Sequence, residues 1–382
     1  MILMAISIML AYLFLIGCFV YGFDKVRPFK LEDIPAKTKF SIIIPFRNEA
    51  EHLSDLLKSI EFLEYPKQLF EIILVDDDSD DGSVALIHEF LKTNTKKSFD
   101  CAESDIRVIS NERTSNSPKK AAITTAIKHA KHDWIVTTDA DCVLPKYWLD
   151  SFDQYIQKTN SKCVAAPVIY TKIDTFINRF QLLDVMSLQG ATVGGFGINK
   201  PFLCNGANFA YEKALFKELN GFDGNDKVAS GDDIFLLEKI AKKHASELHY
   251  LKCEHAIVTT QPQPDFKSLI SQRIRWAAKT SRYNNWFGKL TGFIVLAANG
   301  LLIALLFLAI FGSFPLKVLL YLIVIKLNID FLLIYKTAVF FNQKKVLKSY
   351  LIAFFTYPFF SVYVVFLSTF KTYTWKGRNF KK

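Results

Sequence analysis

From Met1 to Tyr21 the chain has no charged residue, and Leu, Ile, Phe, Val and Ala dominate. Such a segment is long enough to cross about 30 Å of hydrocarbon as a helix. It also has no Lys or Arg ahead of its apolar run. That argues against a cleaved signal peptide, although "LIGC" at Leu15–Cys18 looks like a lipoprotein cleavage box, and favours an uncleaved anchor. Cysteine is sparse. Cys18, Cys101, Cys142, Cys163, Cys204 and Cys253 include no C-x-x-C pair and no Cys/His ligand spacing. Neither a disulfide framework nor a zinc site is indicated, and reduced, mostly buried thiols are expected. There is no internal repeat and no low-complexity linker.

What is abundant is apolar length and positive charge. Leu290 to Phe311, Val318 to Phe341 and Tyr350 to Phe370 are further membrane candidates, the second interrupted by Lys326 and Asp330. Lys25, Arg27 and Lys30 follow the first segment. By the positive-inside rule they leave the following region in the cytoplasm, as part of an integral protein of the inner or plasma membrane. The formal net charge of +10 is spread, with clusters flanking the apolar segments. Contact with anionic headgroups accounts for it, and no nucleic-acid partner is expected.

The resulting division is an anchor at 1–22, a water-soluble region at 38–285 ending in an interfacial helix, two or three membrane segments within 288–371, and a basic tail at 372–382. Three full crossings after the soluble region would put "KTYTWKGRNFKK" outside, against its charge. A re-entrant or interfacial segment, or a break at Pro358, would resolve the conflict, and the sequence is compatible with each of these topologies for 318–370.

Within the soluble region, β-forming runs alternate with helical stretches. Phe40–Ile44, Phe70–Val75, Ile106–Ile109 and Trp134–Thr138 read as strands; Glu51–Phe62 and Lys119–His129 read as helices. This predicts an α/β fold, a mostly parallel sheet covered by helices, whose ligands sit at the carboxyl ends of the strands. At those ends the sequence places "PFRNEAE", "DDDSDDGS" and "DADC".

Asp139 and Asp141 follow the fourth run one residue apart. Two close carboxylates repel one another unless a cation neutralises them. Mg²⁺ or Mn²⁺ bound through one or two carboxylates together with phosphate oxygens would do so. A solvated turn is the plain alternative. Asp76 and Asp77 leave the second run, where carboxylates can accept from a base N–H or ribose hydroxyls, while Asp80, Asp81 and Ser83 read as a turn bonded to its own backbone. In "SGDDIFLLEKI", N-capping explains one of Asp232 and Asp233 and leaves the other for chemistry. In "SQRIRWAAKTSRY", Gln272, Arg275 and Trp276 share a helix face and Arg273 points elsewhere. Arg275 suits a diphosphate, and Trp276, Tyr283 and Trp286 among basic residues read equally as an interfacial belt.

Taken in order, "PFRNE", "VDDDSDD", "TDAD", "GDD" and "QRIRW" resemble the membrane-integrated family 2 glycosyltransferases of GT-A fold. That group includes ceramide, hopanoid and carotenoid glycosyltransferases and the cellulose, chitin and hyaluronan synthases. The resemblance covers about Phe40 to Trp276. It implies that Pro45 and Glu49 touch the nucleoside, that Asp76 and Asp77 hold base and ribose, and that Lys119 lies near the nucleotide, with Lys120 able to substitute. The family's small residue and Asn are replaced here by Pro118 and Thr124. It further implies that Asp139 and Asp141 hold the metal and diphosphate, and that Gly206 and Ala207 in "CNGANFAY" lie beside sugar and acceptor. Asp233 matches the general base, with Asp232 replacing what is often Glu. Gln272, Arg275 and Trp276 match the acceptor and diphosphate side. "TWKGR" at Thr374–Arg378 resembles a Trp and Arg element after the last membrane segment.

The resemblance implies inverting, metal-dependent transfer from a nucleotide sugar, with a UDP-sugar the first expectation, to a lipid or glycan acceptor at the cytoplasmic face. A processive polysaccharide synthase is the rival enzyme. A noncatalytic membrane partner that binds a sugar nucleotide or lipid is the rival of another class.

Overall fold

The computed structural model describes residues 1–95, 105–113, 115, 117–225, 231–280, 282–370, 373–375 and 378–380. In chain order the elements are α1 (Ile2–Lys25), β1 (Phe40–Phe46), α2 (Ala50–Glu61), β2 (Phe70–Asp76), α3 (Ser83–Thr95), β3 (Asp105–Ser110), α4 (Pro118–His129) and β4 (Trp134–Thr137). They continue with β5 (Cys142–Val143), α5 (Trp148–Lys158), β6 (Cys163–Ala165), β7 (Val168–Tyr170), α6 (Phe176–Gly197), β8 (Phe209–Glu212), α7 (Lys213–Glu218) and α8 (Asp232–Lys243). The last are β9 (Leu248–Tyr250), β10 (Val258–Thr260), α9 (Phe266–Thr280), α10 (Trp286–Ile310), α11 (Leu316–Phe340), α12 (Tyr350–Phe370), β11 (Tyr373–Trp375) and β12 (Arg378–Phe380). Contacts group them into two compact units: a sheet unit of Arg27–Ile169 with Cys204–Gln261, and a helical unit of Met1–Val26, Tyr170–Leu203 and Pro262–Lys382.

In the sheet unit seven strands run in the order β3-β2-β1-β4-β8-β6-β9. β3, β2, β1 and β4 are mutually parallel, β8 is antiparallel to its neighbours β4 and β6, and β9 is parallel to β6. The four strands expected from the sequence are present, lengthened or trimmed by one or two residues. The mostly apolar character of β1 and β2 fits parallel strands buried on both faces: Phe40, Ile42, Ile43, Ile44, Ile72, Ile73 and Leu74 are all buried, while β3, at the sheet edge, is half-buried. α2 turns Leu53, Leu56, Leu57 and Ile60 into the same core, the spacing of one helix face. The strand order reverses direction between β1 and β4, and the crevice beyond the carboxyl ends at such a switch point is where these sheets take ligands.

In the helical unit the burial pattern is reversed. Ile2–Lys25, Trp286–Ile310, Leu316–Phe340 and Lys344–Phe370 are, among the described residues, long and apolar enough to cross a membrane. Their outward positions are apolar, with Leu3 81%, Phe14 75% and Phe293 68% exposed. Polar groups sit inside instead. Lys326 is 2% exposed and pairs with Asp330 at 2.6 Å, whose other oxygen accepts from the Tyr12 hydroxyl at 2.6 Å. α12 is continuous through Pro358, so the break considered there does not occur; a neighbouring helix can compensate the lost hydrogen bond.

α6, not singled out from the sequence, is buried along most of its length. It crosses α1 with almost no separation: a Cβ on Gly194 would lie 2.5 Å from the Phe19 carbonyl oxygen, and one on Gly197 would lie 1.9 Å from that of Gly22. Only glycines permit this approach. Cys142, Cys163 and Cys253 are buried free thiols, as expected of reduced cysteines; Cys101 lies outside the described residues.

Candidate functional site

The site of the sheet unit begins where β1 and β2 end. The two following loops are laced together: Asn48 and Asp80 exchange hydrogen bonds at 2.7 and 2.9 Å, the Glu49 N–H donates to Ser83 Oγ at 2.9 Å, and the Ala50 N–H donates to Asp81 Oδ2 at 2.9 Å. Asp81 also accepts from the Ser83 N–H. Asp80, Asp81 and Ser83 are therefore turn builders, as their sequence suggests. Pro45, half-buried, lies in β1 opposite Val75.

Asp76 and Asp77 are differently engaged. Asp76 Oδ1 accepts from the Ser79 N–H at 3.0 Å, closing its own turn. Asp77, 5% exposed, accepts from Asn111 Nδ2 at 2.7 Å and Arg113 Nε at 2.8 Å. Arg47 Nη1 reaches the Asp77 carbonyl oxygen at 2.6 Å. Arg113, with Arg47 behind it, holds the exposed Asp78 carboxyl below the usual carboxylate range. Arg47, Asn111 and Arg113 were not singled out from the sequence.

The second cluster gathers at the carboxyl end of β4 and the start of α8. Lys119 Nζ lies 2.5 Å from Asp139 Oδ1 and 3.4 Å from Asp232 Oδ2. Burial alone would lower the pKa of this ammonium, but Asp139 and then Asp232 outweigh it and raise it well above the ordinary lysine value. Lys120 does something else: its Nζ donates to the Asn225 carbonyl at 2.7 Å and lies 4.5 Å from the centre of the Phe235 ring. Gly231, at φ +82°, precedes α8, which opens with Asp232 and Asp233 where the helix dipole favours negative charge.

Asp233 Oδ2 accepts from the Gly206 N–H at 3.0 Å and Oδ1 from the Ile234 N–H at 2.8 Å. A Cβ on Gly206 would lie 2.9 Å from Asp232 Oδ2 and 3.4 Å from Lys119 Nζ, so the backbone approaches these charges because nothing larger is there. The turn is fixed from beneath by Asn208, fully buried. Its amide donates to the Pro167 and Ala256 carbonyls at 2.8 and 2.7 Å and accepts from Trp148 Nε1 at 2.9 Å. Ala207 donates its N–H to Asn205 Oδ1 at 3.0 Å.

Asp139, Lys119, Asp232, Asp233 and Gly206 are thus brought together, and Asp77 belongs to the other cluster. Asp141 is half-buried beside Cys142, its Oδ1 3.7 Å from Sγ. Burial, then Asp141 and Asp139, push that thiol well above its ordinary pKa, which keeps it inert. Among the described residues no three His, Cys, Asp or Glu side chains are grouped closely enough to hold a metal by themselves. The oxygen-only donors Asp139 and Asp141 fit a hard cation that completes its shell with phosphate oxygens and water. The ammonium against Asp139 marks that carboxylate as a place for positive charge.

In the helical unit, Gln272, Arg275 and Trp276 lie on α9 and are half-buried. Arg273, expected to point elsewhere, reaches both neighbours: it donates to Gln272 Oε1 and lies 4.1 Å from the centre of the Trp276 ring. The length of its side chain, not its helical position, makes this contact.

The family described as Glycosyl transferase family 2 matches residues 41–219. The pairs at Asp232–Asp233 and Gln272–Trp276 lie beyond the matched stretch. Poly-β-1,6-N-acetyl-D-glucosamine synthase of Staphylococcus epidermidis is 27% identical over 288 residues, 71% of this chain and 62% of that protein. Probable glycosyltransferase YdaM of Bacillus subtilis is 26% identical over 264 residues, 67% of this chain and 58% of that protein. The chain spans about three fifths of the length of these curated relatives. Among solved structures, the mannosyltransferase PcManGT from Pyrobaculum calidifontis, in complex with GDP-Man and Mn²⁺, superposes with a TM-score of 0.59. It is 17% identical, and the superposition covers 93% of this chain and 98% of that one. That likeness gives the fold, GT-A.

Proposed function

Taking as premise that residues 41–219 are a family 2 glycosyl transferase domain, we propose that the chain moves a sugar from a nucleotide sugar to a lipid or lipid-linked acceptor at the cytoplasmic face of a membrane, with inversion. The observation that carries this is the clustering of Lys119, Asp139, Asp232 and Asp233 around a bare Gly206 backbone at a strand end. Asp76 and Asp77, with Pro45 and Glu49 on the adjoining end of β1 and its loop, serve the nucleoside; Arg113 and Asn111 hold Asp77 in place. Asp139 and Asp141 would hold Mg²⁺ or Mn²⁺, which when bound neutralises the diphosphate. Lys119 adds a fixed positive charge for the same leaving group. Asp233 accepts the acceptor hydroxyl proton as that oxygen bonds the anomeric carbon. The bond from that carbon to the diphosphate breaks, and its electron pair leaves with the phosphate oxygen. Gly206 and Ala207 serve the sugar and acceptor, and Gln272, Arg275 and Trp276 the acceptor and diphosphate.

The helical unit supports a membrane setting. β11 lies against α9, and Phe360 of α12 meets Phe266 of α9 at 6.4 Å and Phe180 of α6 at 5.1 Å between ring centres. If α12 runs along the interface beside α9, the basic tail returns to the side from which α10 departs and the charge conflict is removed.

A second reading, a polysaccharide synthase, is favoured by the 27% identity to a poly-N-acetylglucosamine synthase. Turnover of UDP-, GDP- and dTDP-sugars by the chain in native-lipid nanodiscs with Mg²⁺ or Mn²⁺, followed by mass spectrometry, separates them. A glycolipid carrying one or a few sugars upholds the first; a long polymer replaces it with the second. Nucleotide binding without any turnover would leave a noncatalytic partner.

A further inference from the structure

Arg273 sits inside the Gln272–Trp276 stretch, yet the reaction scheme gives it nothing to do. Its side chain is 6% exposed and that of Asp184, on α6, is 5% exposed. Arg273 Nε donates to Asp184 Oδ2 at 2.7 Å and Nη1 donates to Gln272 Oε1. The flat of the guanidinium is 4.1 Å from the centre of the Trp276 ring. The Tyr170 hydroxyl donates to the same Gln272 oxygen at 3.5 Å.

A guanidinium can donate in its plane and stack on an aromatic face at once, which an ammonium cannot. A glutamine amide has one accepting and one donating end. With Oε1 receiving Arg273 and Tyr170, the amide is turned so that Nε2 is the end presented to a ligand.

We propose that Arg273 is a positioning residue, anchored by Asp184, that sets Gln272 as a hydrogen-bond donor and holds the Trp276 ring beside it. α9 then offers one N–H donor and one aromatic face to an oxygen-rich ligand, a sugar hydroxyl or a phosphate. This rests on the reading that α9 serves transfer.

Removing Arg273 alone strands a buried carboxylate and threatens folding, so the test uses the full chain in nanodiscs with the double variant Asp184→Leu/Arg273→Met, beside Arg273→Lys and Gln272→Glu. The double variant should unfold within a few degrees of wild type, the Tyr357 hydroxyl losing Asp184 as acceptor, and bind free nucleotide within about twofold, while acceptor KM rises and kcat falls at least about tenfold. Arg273→Lys, which keeps the ion pair but not the stack, should fall between. Gln272→Glu still accepts from Arg273 but cannot donate, and should lose about tenfold or more. Turnover within about twofold of wild type for the double variant or for Gln272→Glu overturns the proposal. If wild type turns over no nucleotide sugar, the reading of function has failed instead. Acrylamide quenching of Trp276, taken as the difference from Trp276→Phe, then decides: a more accessible Trp276 in the double variant upholds the positioning role, and no change refutes it.

Discussion

The sheet unit hides its apolar residues and brings its acids to strand ends, whereas the helical unit exposes its apolar residues and hides its ions. In the first, Ile42, Ile43 and Ile44 are fully buried while Asp139 is a third exposed beside Lys119. In the second, Phe14 and Phe293 face outward while Lys326–Asp330 and Arg273–Asp184 are enclosed. Each pattern is what its solvent requires: water favours the first, hydrocarbon the second. The same chemical pair, an ammonium and a carboxylate, therefore has different duties. At Lys119–Asp139 the pair stands partly open, its side chains 18% and 34% exposed; at Lys326–Asp330 it is more closely held and ties α11 to Tyr12 of α1.

Breaking the enclosed pair should have the largest effect. Lys326→Leu leaves Asp330, 15% exposed, without its cation and should cost about 3 kcal/mol, read as a lowered unfolding midpoint in detergent, whereas Lys326→Met with Asp330→Leu should cost less, about 1 kcal/mol, for the Tyr12 hydroxyl that loses its acceptor. Equal effects of the single and double variants would remove the distinction drawn here. Asp139→Asn should do the opposite, leaving the unfolding midpoint near wild type while lowering turnover about 10²–10³-fold, with chelation of the divalent ion producing a comparable loss.

One substitution made in both units sharpens the contrast. Gly194→Ala forces a side chain against the Phe19 backbone, 2.5 Å away. It should destabilise the helical unit by about 1–3 kcal/mol. Gly206→Ala meets Asp232 Oδ2 at 2.9 Å. Its main effect should be on turnover, about tenfold, with a smaller change in midpoint.

The smallest effect concerns pH. His244 is held by Glu218 and then Glu247, which raise its pKa above the ordinary value. A raised folded pKa contributes stability that is fully present below about 6.5, the unfolded value, and is lost as pH climbs through the folded one. The unfolding midpoint of wild type should therefore drop slightly relative to His244→Gln across that rise, by about a degree or two. A gap that widens with pH would contradict the assignment.

Much of this was legible in the sequence because strands buried on both faces read as unbroken apolar runs and because acids immediately after such runs fall at the ligand end of the sheet. Asp76, Asp77 and Asp139 could be placed that way, whereas Asp233, at the start of α8, stood out only as the acid that helix capping left over and by the family resemblance. Arg113 could not, since it meets Asp77 from 36 positions away, after an intervening helix and strand. Asn208 was hidden for another reason: a buried, fully bonded amide has no local pattern to announce it. α6 escaped because a helix enclosed on several sides has no polar stripe, and its glycines, which imitate a loop in sequence, mark a close helix crossing instead. Arg273 was misjudged because helical spacing locates a Cβ and not the end of a long side chain.

The central claim, that Asp233 performs chemistry while its neighbours bind, is tested most directly by Asp233→Asn in nanodiscs, measuring nucleotide affinity and sugar transfer side by side. The account predicts nucleotide affinity within about twofold of wild type and transfer reduced about 10²–10⁴-fold. Transfer at the wild-type rate, or a loss of transfer that merely follows a loss of nucleotide binding, would contradict it.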